Sequence, residues 1–229
     1  MTNNKVDSKK FELLTKWYLR FNGYFTVDNF IIHAADDIQR ISGGTISNYT
    51  DIDILGIRMP FHTEQTGELK IKNDQRLNCI EKIDIVVAEC KTGKQNSLNK
   101  VWSNGNTHAI EYLLRFCGIL QDKEKLKETA SVLLKDLKFE NDELRIRSVL
   151  FSQKTPSKDW RSRGLTYISC AEIINFLVGV RGECWITNNI GTKSTHDSWD
   201  NLIKDIFKVA NDQTKSVDKK QRDIYEILK

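Results

Sequence analysis

Charged side chains interrupt two stretches of this chain that otherwise have the apolar composition of buried strands. The first stretch carries Asp51 and Asp53, and the second carries Glu89 and Lys91 on either side of Cys90. Because side chains alternate between the two faces of a strand, Glu89 and Lys91 share a face, and Asp51 and Asp53 do likewise. Burying an unpaired charge in a strand costs free energy, so the presence of these charged residues requires a chemical explanation. If the strands are neighbours, a divalent metal would explain the acids, and activation of a water molecule would explain the lysine.

Asp51 and Asp53 compete for the role of metal ligand. We predict that Asp53 is the ligand, because it lies deeper in its strand, whereas Asp51 at the mouth is easily solvated. Asp51 could instead hold a second metal ion or orient a ligand through a hydrogen bond.

The first half of the chain predicts one helix followed by strands. Apolar residues recur at helical spacing up to Phe21, Ser8 is the expected N-cap, and Asn22-Gly23 ends the helix. The central strand should be covered on both faces, because its middle is almost entirely apolar. The predicted elements are a helix over 8–21, a strand or hairpin over 24–33, a strand over 51–59, an irregular excursion over 60–81 and a strand over 82–90.

The second half predicts helices between further strands. Helices that alternate with apolar strands are typical of an α/β layer fold, here a mixed central β-sheet flanked by helices. The predicted elements are helices near 98–102, 110–117 and 122–137, a strand over 143–152, a polar loop over 153–164, a strand over 165–169 and helices over 171–180, 199–210 and 216–228.

The polar loop over 153–164 is rich in cations. Lysine and arginine neutralise phosphates and tryptophan can stack on a base, so we predict contacts with nucleic acid there. Lys94 lies just after Lys91 and could bring the backbone close to a phosphate. The alternatives are a solvated surface loop and a simple turn into a helix. The predicted contact residues are Lys94, Lys154, Lys158, Trp160, Arg161 and Arg163.

Composition narrows the class of protein. The chain has 229 residues and a formal net charge of +4, which permits a nucleic-acid partner without demanding one. Its five cysteines never form a C-x-x-C pair, which argues against a zinc site and a disulfide framework. No phosphate-binding G-x-x-x-x-G-K-[ST] loop is present, which disfavours an NTPase. Without a secretory signal or a long apolar run, we predict a cytoplasmic protein and no membrane partner.

The order of these motifs resembles the PD-(D/E)xK nuclease superfamily. Its signature is an acid on one strand and D/E-x-K on the next, which Asp53 and Glu89-Cys90-Lys91 match. The resemblance implies a restriction-endonuclease-like αβββαβ core, covering about two thirds of the chain. It predicts a nuclease-like domain over residues 1–198, with 199–229 as a C-terminal helical extension of the same domain. One branch also carries a Gln-x-x-x-Tyr helix, but the nearest match here is His108-x-x-x-Tyr112, without the glutamine.

The resemblance also implies roles for individual residues. Asp53, Glu89 and the backbone carbonyl of Cys90 would hold Mg²⁺ or Mn²⁺, and Lys91 would orient or deprotonate the attacking water. Glu12 on the first helix would join the site from the side. The implied activity is metal-dependent hydrolysis of phosphodiester bonds, with DNA as the expected substrate.

Two other functions fit the same sequence. The chain could be a nucleic-acid-binding or scaffold protein that kept a nuclease-like fold without turnover. It could also be an α/β module that binds a protein partner, with coincidental motifs. A homodimer would let a one-metal site cut both strands of a duplex, and the sequence leaves the oligomeric state open.

Overall fold

A computed structural model describes residues 5–33, 49–62, 65–66, 69–70, 72–79, 81–93, 98–99, 102, 107–118, 120–183 and 199–229. The strands are β1 (Phe25–His33), β2 (Tyr49–Arg58), β3 (Gln65–Thr66), β4 (Leu69–Lys70), β5 (Ile83–Lys91), β6 (Lys138–Glu140), β7 (Leu144–Ser152) and β8 (Thr166–Ser169). The helices are α1 (Ser8–Phe21), α2 (Thr107–Cys117), α3 (Lys123–Asp136), α4 (Lys158–Ser162), α5 (Cys170–Phe176), α6 (Asn201–Asn211) and α7 (Val217–Leu228). A 3₁₀ turn covers Gln75–Leu77, and a π-helical turn over Leu177–Arg181 continues α5.

A six-stranded mixed sheet forms the centre of the fold. β1, β2 and β5 are antiparallel neighbours, β7 runs parallel to β5, and both β6 and β8 pair with β7. The mixed α/β sheet predicted from the sequence is therefore confirmed. The prediction of a central strand is also confirmed, since β5 is buried along all but its two end residues.

Helices cover both faces of the sheet. Side chains of α1, α5, α6 and α7 pack with Val86, Ala88 and Cys90 on one face, which we call the α1 face. Helices α2 and α3 pack with Ile85 and Val87 on the opposite face, which we call the α2 face. Apolar burial on both faces is the main stabilising term for such a sheet. The two C-terminal helices add Ile203, Ile206 and Leu228 to the core on the α1 face, among other residues.

Several local predictions need correction. Asp7 rather than Ser8 caps α1, because the Asp7 carboxylate accepts the backbone N–H of Lys10. The stretch over 24–33 is one strand and not a hairpin, and Asn29 sits within it at a positive φ of 50°. The predicted loop over 153–164 contains the short helix α4. At the start of α5, Ser169 is the N-cap and forms a capping box with Glu172.

A buried carboxylate fixes the register of the three central strands. Asp84 on β5 is fully buried and lies opposite Arg58 on β2 and Arg145 on β7. Arg145 donates two hydrogen bonds to it, at 2.9 and 2.8 Å, and Arg147 donates a third at 3.0 Å. Burial alone would raise the pKa of Asp84, but these arginines hold it below its ordinary value. Tyr24 also donates its hydroxyl to the same carboxylate.

Among the helices of the described ranges, none has both the length and the apolar character needed to cross a bilayer.

Removing the charge of Asp84 should destabilise the fold. In Asp84→Asn, buried guanidinium groups lose their counter-charge, so the free energy of unfolding should fall by about 3–5 kcal/mol. Denaturant unfolding followed by circular dichroism measures this change. The control is Asp205→Asn at an exposed ion pair, which should change stability by less than about 1 kcal/mol. Equal stability of the two variants would contradict the structural role of Asp84.

Candidate active site

The strand register brings Asp53 and Glu89 to the same place. β2 and β5 pair from Arg58↔Asp84 up to Ile54↔Ala88, so Asp53 and Glu89 are the next opposing residues. Next to this pair, the Asp53 side chain also links β2 to β5, because its Oδ2 accepts a hydrogen bond from the backbone N–H of Cys90 at 2.6 Å. The two strands that the sequence predicted to be neighbours are therefore neighbours, and their acids meet.

The side-chain alternation of β2 is interrupted at Asp53. Ile52 packs on the α2 face and Ile54 packs on the α1 face, although residues two apart on a regular strand share a face. Asn29, with its positive φ, lies across from Asp53 on β1, between the pairs Asp28↔Ile54 and Phe30↔Ile52. This local distortion frees the Asp53 carboxylate to reach the backbone of β5.

Glu89 is the most buried acid of the site. Only 3% of its surface is exposed. Burial raises its pKa to about 7, and the nearby charge of Asp53 adds to this shift, while Lys91 opposes it. Glu89 therefore loses its proton at a higher pH than an exposed glutamate does.

Lys91 supplies the positive charge of the site. Its ammonium donates to Glu89 Oε1, and it lies 3.5 Å from the Oδ1 of Asn99. Partial burial alone would lower the pKa of Lys91, but the Glu89 carboxylate raises it above its ordinary value. Lys91 is therefore a protonated hydrogen-bond donor at neutral pH.

Three further acids lie near Glu89 and Lys91. Burial raises the pKa of Asp53, against the effect of the Cys90 N–H and the charge of Lys91. Burial also raises the pKa of Glu12 on α1, and the negative charge of Asp53 raises it further. Asp51 is exposed at the edge of β2 and contributes to the shifts of the other acids. The structure thus brings together the five charged residues that the sequence proposed for the site.

Cys90 offers its backbone and not its thiol. The side chain packs on the α1 face, and burial raises the pKa of the thiol well above its ordinary value. A neutral thiol is a poor ligand for a hard cation, so only the carbonyl oxygen of Cys90 fits the predicted role.

The cation-rich segment over 153–164, which we call the basic loop, begins beside Lys91. Lys91 pairs with Ser152 in the parallel ladder, and the N–H of Gln153 donates to the Lys91 carbonyl at 3.3 Å. Lys154, Lys158 and Arg161 beyond it are exposed. Their predicted contact with nucleic acid stays a prediction. Lys94 lies outside the described residues.

Arg163 and Trp160 serve the fold as well. Arg163 donates to the backbone carbonyls of Leu134, Lys135 and Trp102, which closes the C-terminal end of α3. Its guanidinium also lies 4.7 Å from the ring centroid of Trp160, which packs against the core on the α2 face. Their predicted roles in binding nucleic acid also stay predictions.

Asn99 is a site residue that the sequence did not single out. Besides its contact with Lys91, its Nδ2 donates to the backbone carbonyl of Asp51 at 2.9 Å. A lone polar residue in a loop carries no pattern that would have pointed to it. His108 is exposed on α2, 4.0 Å from Glu111, and Tyr112 stacks on Phe30.

The donor set fits a hard divalent cation. Within the described ranges, no group of three His, Cys, Asp or Glu side chains forms a ready metal site. Mg²⁺, however, commonly uses one or two carboxylates and keeps several waters. In the described part of the chain, no hydrogen bond occupies Asp53 Oδ1 or Glu89 Oε2. The mutual repulsion of these acids is what a cation would relieve.

Comparison with protein-family models, curated proteins and solved structures found no match to this chain. A functional assignment therefore depends on the chain's own residues.

Replacing Glu89 should stabilise the protein at alkaline pH. The pKa of Glu89 is near 4.5 in the unfolded chain and about 7 in the folded protein. As the pH rises through this interval, the unfolded chain loses its proton more readily than the folded protein, so the folded protein becomes less stable. Glu89→Gln, which cannot ionise, should therefore be about 1–3 kcal/mol more stable than the wild type at pH 8, with a smaller difference at pH 5.

Denaturant unfolding at several pH values measures this difference. The matched control is Glu128→Gln at an exposed position of α3, which should show no such pH dependence. A Glu89→Gln variant that is less stable than the wild type at pH 8 would contradict the electrostatic description of the site.

Proposed function

We propose that this chain is a metal-dependent nuclease that hydrolyses phosphodiester bonds, with DNA as its substrate. One observation carries the proposal: Asp53 and Glu89 lie opposite each other where the pairing of β2 and β5 ends, with Lys91 beside them. Acids that repel each other in a half-buried site lower stability, and such arrangements are characteristic of functional sites.

The order of the elements supports the same class. Helix α1, the antiparallel strands β1, β2 and β5, helices α2 and α3, and strand β7 parallel to β5 occur in this order along the chain, with the short strands β3, β4 and β6 between them. We infer that this is the restriction-endonuclease-like αβββαβ core that the sequence resembles. The acids on β2 and β5 support this inference, because the signature has an acid on one strand and D/E-x-K on the next.

The chain's own ligands would be the carboxylates of Asp53 and Glu89 and the carbonyl of Cys90. A bound Mg²⁺ or Mn²⁺ would supply charge neutralisation at the phosphate and a more acidic water. Glu12 and Asp51 add negative charge around this position, which favours the retention of a cation.

Lys91 acts as a donor in this proposal. Its ammonium already donates a hydrogen bond to Glu89, and an amine that carries its proton cannot remove one from water. Its ammonium would orient the attacking water and offset the negative charge that develops on the phosphate. This choice refines the two roles that the sequence left open for the lysine.

The basic loop supports a polyanionic substrate. Lys154, Lys158 and Arg161 follow directly on the strand beside Lys91, so phosphates next to a bound scissile bond would lie within their field. The predictions of a cytoplasmic location and of a homodimer stay predictions.

A second candidate is a nucleic-acid-binding protein without turnover. It is favoured by the contact between Lys91 and Glu89, in which the site neutralises part of its own charge. In this case the chain would bind DNA through the basic loop and would not cut it with either ion.

Single substitutions at the site should abolish cleavage while the fold survives. Asp53→Asn, Glu89→Gln and Lys91→Met should each reduce Mg²⁺- or Mn²⁺-dependent cleavage of DNA by at least about 100-fold. Cleavage of linear and circular duplexes and of single strands is followed on gels, next to a binding assay.

The matched controls are Asp205→Asn, Glu128→Gln and Lys127→Met at exposed positions, which should cut like the wild type. Wild-type binding without cutting under both ions would favour the second candidate. Full activity in purified Lys91→Met would overturn the nuclease mechanism.

A further inference from the structure

Asn99 connects the two strands that carry the charged residues. Its Nδ2 donates to the backbone carbonyl of Asp51 on β2 at 2.9 Å, and its Oδ1 faces the ammonium of Lys91 on β5 at 3.5 Å. The amide cannot be reversed, because a carbonyl accepts only a donor and an ammonium offers only donors. The neighbours of Asn99 thus aim its oxygen at Lys91.

The two hydrogen-bond acceptors of Lys91 differ in what else they would bind, because Glu89 is a proposed cation ligand and Asn99 is not. Among the described residues, the ammonium contacts Glu89 Oε1 and Asn99 Oδ1. In the proposed site Glu89 would be shared between the cation and the Lys91 ammonium, whereas the oxygen of Asn99 would remain available to Lys91, with its amide N–H still bonded to β2. The Asn99 contact, at 3.5 Å, is at the long limit of a hydrogen bond.

We propose that Asn99 is a positioning residue that holds the Lys91 ammonium at the reaction centre while Glu89 holds the cation. The inference rests on the proposed nuclease function. Asn99 acts through Lys91 and touches neither the cation nor the substrate in this role. Its loss therefore affects the chemical step more than the binding of DNA.

Substitutions at Asn99 separate this role from a purely structural one. Asn99→Leu removes both contacts and should lower the kcat of metal-dependent cleavage about tenfold, with KM for DNA changed less than about twofold. Asn99→Asp loses the tie to Asp51, as leucine does, but keeps an acceptor for Lys91. It should therefore be more active than Asn99→Leu, whereas a structural role would make the two equally poor.

A second measurement does not depend on cleavage. Competitive acylation with acetic anhydride, read by mass spectrometry, reports how firmly each lysine amine is held. In a Glu89→Gln background, where the charge of Glu89 is gone, adding Asn99→Leu should raise the labelling rate of Lys91 about fivefold. The control is Asn175→Leu, whose side chain contacts Gln221 on α7, and it should leave Lys91 labelling unchanged.

The outcomes distinguish the two claims. If the wild type cuts DNA and Asn99→Leu cuts equally well, the role of Asn99 is overturned and the nuclease function stands. Unchanged labelling of Lys91 in the double variant would also overturn the role of Asn99. If the wild type does not cut DNA at all, the nuclease function falls, and the role of Asn99 in catalysis falls with it.

Discussion

The buried carboxylate of Asp84 sets the register on which the rest of the site depends. It lies across from Arg58 on one neighbouring strand and Arg145 on the other, so a slip of either strand would leave a charge buried without its partner. Counting five residues along both strands from this pair leads to Asp53 and Glu89, about 17 Å away. The end of β5 that carries Asp84 thereby determines where the end that carries Glu89 and Lys91 lies.

The two ends of β5 show opposite uses of charge in a buried strand. At Asp84, one carboxylate is surrounded by arginines, and the pKa of the acid is lowered. At Glu89, several carboxylates share one lysine, and the pKa of the acid is raised to about 7. The first arrangement stabilises the fold, and the second stores electrostatic repulsion that a cation could relieve.

Periodicity in the sequence was enough to predict the mixed α/β sheet, the central position of β5 and most helices. Alternation also placed Glu89 and Lys91 on one face of their strand, but that β2 and β5 are neighbours was a condition of the hypothesis that only the structure supplied. Periodicity failed where long-range contacts decide. Asp84 carries the same sequence signal as Glu89, yet only the neighbouring arginines reveal its role. Asn99 and the shift of face at Asp53 likewise depend on contacts between segments far apart in the chain.

The sheet register is proposed to build a cation site from Asp53 and Glu89. A crystal soaked in Mn²⁺ and measured at a wavelength where manganese scatters anomalously would locate any ion bound there. We expect one anomalous peak within coordination distance of both carboxylates in the wild type, and no peak there in Glu89→Gln. A wild-type crystal with full manganese soaking and no peak between these two side chains would contradict the account.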